Sequence, residues 1–142
     1  MLSVDLSTCQ KSNRFDEGTY AKDVSGWVRT RRSDSSDRSS FSYRFIGSLP
    51  SVTMVLHVYE DGGGSGVFES VMLLAVASEL TIGSDGKQRT QLVLRVLRTV
   101  SIGDRANAEV SIDGKTVRVD RSKAHDDKQR TPLVIDDSPP LH

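Results

Sequence analysis

The chain has 142 residues, 36% apolar and 27% charged, the balance of one globular domain able to bury a core without disulfides or a structural metal. Its 19 basic and 19 acidic residues cancel, so no global field holds it on nucleic acid or an anionic membrane. The single cysteine, Cys9, excludes an internal disulfide and a multi-cysteine zinc site, and no apolar run of about 18 residues is present to cross a bilayer as a helix.

The first residues, Met1 to Leu6, lack the basic start and apolar stretch of a secretory signal, which favours the cytoplasm. The flanks of Cys9 match no catalytic signature, so it reads as a bland thiol. Asp16, Glu17 and Gly18 form a turn signal, followed by a short strand or irregular segment from Thr19 to Val28. Trp27, the only tryptophan, reads as a plug at one end of the core, with ligand stacking as the functional alternative.

Residues 29–40 change character. Arg29, Arg31, Arg32 and Arg38 are interspersed with Asp34, Asp37 and a run of serines, with no apolar periodicity. This composition predicts a mobile surface loop, and Arg29, Arg31 and Arg32 are candidate ligand- or partner-binding residues beside Trp27. Next, Phe41, Tyr43 and Phe45 alternate with Ser42 and Arg44, the period of a half-buried strand whose aromatic row faces the core.

Val52 to Tyr59 is rich in β-branched and aromatic residues, with Met54, Leu56 and Val58 on one face and Val55, His57 and Tyr59 on the other. The glycine-rich stretch from Asp61 to Gly66 lacks the Lys-Ser or Lys-Thr pair of a nucleotide loop, and reads as a hairpin connection. Val67 to Ile82 is the most apolar stretch, apolar on both strand faces, and Phe68, Val71, Met72, Ala75 and Val76 also fit helical spacing. After a turn at Gly83 to Gly86, strict alternation puts Leu92, Leu94, Val96, Val100 and Ile102 on one face. Asp113-Gly114, between Glu109–Ile112 and Lys115–Val119, predicts a tight hairpin with these two residues at its centre. Asp120 to Arg130 is almost wholly polar, and Leu133, Val134 and Ile135 form an apolar island.

These elements predict a mainly β, antiparallel β-sandwich or partly open barrel of about six to eight strands. The domain covers residues 1–120, and a polar tail covers 121–142 with a candidate edge strand at 132–135. The alternative is an α+β fold with a helix over 67–80.

For function, no catalytic or cofactor motif is present, and the histidines His57, His125 and His142 are too scattered for a metal site. The first expectation is a non-enzymatic binding or interaction module, engaging a protein partner or a second copy through strands apolar on both faces, with no cofactor, metal, membrane or nucleic acid. Its candidate contact residues are Trp27, Arg29, Arg31 and Arg32. The second is a small enzyme or ligand-binding barrel in which His57, Tyr59 and Asp61, spaced by two on one strand face, line a cavity.

Overall fold

A computed structural model of the chain describes residues 3–5, 19–31, 39–83, 85–121 and 132–136. Among these, ten strands and no helix are present: β1 (Ser3–Asp5), β2 (Thr19–Lys22), β3 (Trp27–Arg31), β4 (Ser40–Ser48), β5 (Met54–Asp61), β6 (Val67–Ile82), β7 (Gln88–Asp104), β8 (Ala108–Asp113), β9 (Thr116–Arg121) and β10 (Leu133–Asp136). The helix alternative over 67–80 therefore falls. Its apolar residues extend into β6 because both flanking strands, β5 and β7, pair with it in antiparallel register. The strands form two antiparallel sheets, not a closed barrel, in a sandwich-like arrangement.

The larger sheet has the order β1-β7-β6-β5-β4-β3-β2, so β2 to β7 run as a meander. The smaller has the order β10-β9-β8. Three of the twelve positions in the serine/arginine loop, residues 29–31, belong to β3, and Ser40 begins β4; residues 32–38, with Arg32, lie outside the described residues. So does Cys9, and so do His125 and His142. β10 pairs with β9 at the edge of the smaller sheet.

The smaller sheet alternates cleanly. Val110, Val119 and Leu133 form one cross-strand row, and Ile112, Val117 and Ile135 the next, all packed in the core. Its outward positions Glu109, Ser111, Arg118, Val134 and Asp136 are exposed, all polar but Val134. The hairpin joining β8 and β9 differs by one residue from the expected turn. Asp113 pairs with Thr116, so the central residues are Gly114 and Lys115. Only Gly114 has a positive φ (59°), which fits a turn with glycine at its first central position.

Three β-bulges bring the larger sheet onto this core. They fall at Ile46 in β4 and at Leu97 and Ile102 in β7, where one strand has an extra residue between paired positions. Each extra residue is apolar, and all three pack with the core cluster of Val55, Val71, Leu73, Val117 and Ile135. The bulges also reverse strand alternation. Leu92, Leu94 and Val96 sit opposite Ser78, Val76 and Leu74 on the outer face, whereas Val100 and Ile102 join the inner core. The single apolar row expected for β7 is thus split between two faces, because a one-residue insertion shifts a period-two pattern.

The inner face of the larger sheet carries Val55, Val71 and Leu73 under the smaller sheet. At Gly47 the two sheets come close: a Cβ placed there would lie 2.9 Å from Ile112 Cδ1. We predict that Gly47→Val destabilises the fold by about 2 kcal/mol through overpacking, measured as a lowered urea midpoint with unchanged m-value.

Candidate functional site

Beyond the edge of the smaller sheet, the inner face of the larger one turns polar and aromatic. Strand register sets the residues in three rows. Trp27, Arg44, His57 and Val71 are directly opposed across β3 to β6; Arg29, Ser42, Tyr59 and Glu69 form the next row; Ser40, Asp61 and Val67 the third. Trp27 packs obliquely on Tyr59 at 4.7 Å and on His57 at 5.2 Å between ring centroids, and the Arg44 guanidinium lies 5.2 Å from the Trp27 ring. Trp27 is half-buried at this margin rather than plugging the core.

Beneath these rings lies a closed polar pair. His57 and Glu69 are both about 1% exposed. Glu69 Oε1 accepts from the Asn107 backbone N–H at 2.6 Å, and Oε2 accepts from the Ala108 N–H at 3.0 Å, with His57 Nε2 at 3.4 Å. Two consecutive amides converging on one carboxylate make an anion-holding turn. Arg105 and Asn107 have left-handed φ values of 46° and 45°, which fold the chain from β7 into β8. The same connection is tied to the start of β6, where Arg105 N–H donates to Val67 O at 2.8 Å and Val67 N–H to Asp104 Oδ1 at 2.8 Å.

His57 is held below the ordinary histidine pKa. Burial is the main cause; Glu69 opposes it and the Arg44 charge adds to it. The geometry agrees with a neutral ring. Among the described residues His57 Nδ1 is buried without a protein partner, so protonation would strand an N–H there, whereas the neutral ring donates from Nε2 to Glu69 and leaves Nδ1 a lone pair. Burial, reinforced by Glu69, pushes the Tyr59 hydroxyl above the usual phenol range.

A concavity of about 380 Å³ opens above this pair, lined by Trp27, Arg29, Ser40, Ser42, Tyr59, Asp61 and Asn107 among others. Two sets of residues singled out separately in the sequence, Trp27 with Arg29 and Tyr59 with Asp61, therefore share one surface. The His57–Tyr59–Asp61 row exists as spaced, but its members divide: Tyr59 and Asp61 line the concavity and His57 lies sealed below, with Nε2 turned to Glu69. His57 itself is not among the residues that line the concavity. Arg31 continues β3, opposite Ser40. Glu69 is the residue that pattern reading missed. Its signal is a carboxylate in alternation with the core residues Val71 and Leu73 of β6, a position where a charge needs buried partners. No protein family model, curated protein or solved structure matches the chain.

Removing Glu69 leaves two amides at the β7–β8 connection without their acceptor. We expect Glu69→Ala to cost about 3 kcal/mol in urea unfolding, more than the outward-facing Glu109→Ala. His57 gives a separate pH signature. The unfolded histidine takes up a proton near pH 6.5 that the folded ring refuses, so its contribution to stability is full above that pH and is lost as pH falls through the lower folded pKa. Comparing unfolding free energies at about pH 7.5 and 5.5, His57→Gln should show a smaller acid loss than the wild type; an equal loss would show that His57 is protonated in the fold.

Proposed function

We propose that the protein is a non-enzymatic interaction module that self-associates through the outer face of its larger sheet. The observation that carries this reading is the uneven distribution of exposed apolar side chains. Phe41, Phe45, Phe68, Val76, Leu80, Ile82 and Leu92 are all exposed, and strand register sets all seven on that one face. Tyr43, Met54, Leu56, Met72, Leu94 and Val96 lie on the same face, interspersed with the uncharged polar residues Ser70, Ser78, Thr90, Thr99 and Ser101. In β4 to β7 the only charges on this face are Glu60 and Asp104, both near the β5–β6 turn. The aromatic row Phe41, Tyr43, Phe45, expected to face the core, points to this side because Ser42 and Arg44 take the inner positions. Sheets that remain half-exposed ordinarily carry polar residues outside, as the smaller sheet does apart from Val134.

A second copy is the occupant best matched to this face. With strands about 4.8 Å apart and about 3.3 Å per residue, the whole face of β4 to β7 measures on the order of 800 Å², near the half-interface of a standard complex, and its apolar positions cover somewhat more than half of it. The chain carries no net charge to repel its own copy. A two-fold axis running across the strands also keeps the Glu60 and Asp104 ends of two copies apart while their apolar centres stack about 10 Å apart.

Sedimentation equilibrium tests this. The wild type is expected as a dimer at about 10 μM, and Val76→Lys with Leu80→Lys as a monomer with unchanged far-ultraviolet circular dichroism. A wild type that stays monomeric to about 100 μM, or a folded double variant that still dimerises, overturns the assignment.

A further inference from the structure

We propose that the concavity bounded by Trp27, Tyr59 and Asp61 binds a neutral saccharide, on the face opposite the self-association surface and independently of it. The argument starts from shape. The Trp27 and Tyr59 rings are inclined at 56° with centroids 4.7 Å apart, so together they form an apolar corner rather than a flat patch. The Arg44 guanidinium lies against Trp27 and helps fix it. The C–H edges of a pyranose carry a weak positive charge and suit the negative face of an aromatic ring.

The polar groups around this corner are mixed. Arg29, whose guanidinium also lies 3.9 Å from Asp23 Oδ2, can donate, the Asp61 carboxylate accepts, and Ser40, Ser42 and the Asn107 side-chain carboxamide do both. Among the described residues, neither serine hydroxyl has a protein partner, so both are open to a ligand. Asp61 is aimed by its own turn, since its Oδ1 accepts from the Gly63 N–H at 2.9 Å. A sugar hydroxyl is donor and acceptor at once and needs such a mixture, whereas an anion would meet Asp61 and a cation would meet Arg29.

Placement and size agree. Except for Asn107, the groups named here stand on β3, β4 and β5 in adjacent cross-strand rows, which fixes their spacing before any ligand arrives. The volume of about 380 Å³ lies at the small end of ligand sites and suits one or two sugar rings.

Trp27 is the only tryptophan, so its emission reports on this site alone. The full chain is titrated with cellobiose, maltose, lactose and N,N′-diacetylchitobiose, and separately with inorganic phosphate and glutamate. At least one sugar is expected to shift Trp27 emission saturably, with Kd of about 1 mM, and neither anion should do so. Asp61→Ala should weaken that sugar about tenfold. Because Asp61 also holds the Gly63 turn, Ser42→Ala serves as a second variant, with weakening of about threefold. No saturable response to any of the four sugars, a response to phosphate or glutamate instead, or unaltered sugar affinity in both variants overturns the proposal.

Discussion

The Glu69 carboxylate is the constraint on which the relation of the two sheets depends. It stands on β6, in the middle of the larger sheet, and holds the backbone at the start of β8, the first strand of the smaller one. A hydrophobic contact at this point would let the sheets slide, since apolar packing has little directional preference. Two amide hydrogen bonds to one buried carboxylate have a direction, and they set where the smaller sheet begins. How much of the larger sheet's inner face remains uncovered follows from that. The concavity is the part the smaller sheet does not reach, and Asn107, whose amide Glu69 holds, is also one of its walls.

The same physics separates what is legible in the sequence from what is not. Period-two alternation identifies β4, β8 and β9 because one face of each is polar and the other apolar, and β5 is identified by its run of β-branched and aromatic residues. β6 shows its apolar character but not its type, because a strand apolar on both sides carries no alternation to distinguish it from a helix. β7 is read correctly as a strand and incorrectly as to its faces, because the bulges at Leu97 and Ile102 leave no mark in composition: both insertions are ordinary aliphatic residues.

At the site, the spacing of His57, Tyr59 and Asp61 is local information and is recovered from the sequence. Their division into a buried member and two open ones is not, because it depends on Glu69, twelve residues away from His57 along the chain, and on Asn107 and Ala108 further still. The meeting of Arg29 with Tyr59 likewise passes through Ser42 and the pairing of three strands. The row of Phe41, Tyr43 and Phe45 illustrates a different limit. Alternation states that one face is apolar, but not that a layer of the same chain covers it.

The two longest strands, β6 and β7, belong to two mechanical regimes. Up to Leu74, β6 is hydrogen-bonded on both sides, by β5 and β7. From Ala75 to Ile82 it has β7 alone, in a ribbon braced by the Arg95–Glu79 pair and by the three residues of β1 against β7. Opening the far half disrupts a single ladder, whereas opening the near half requires the core to separate. A continuous strand is thereby divided into a base paired on both sides and an arm paired on one. The arm carries Val76, Leu80 and Ile82 on its apolar side, so the length of β6 held by one ladder also presents exposed apolar side chains.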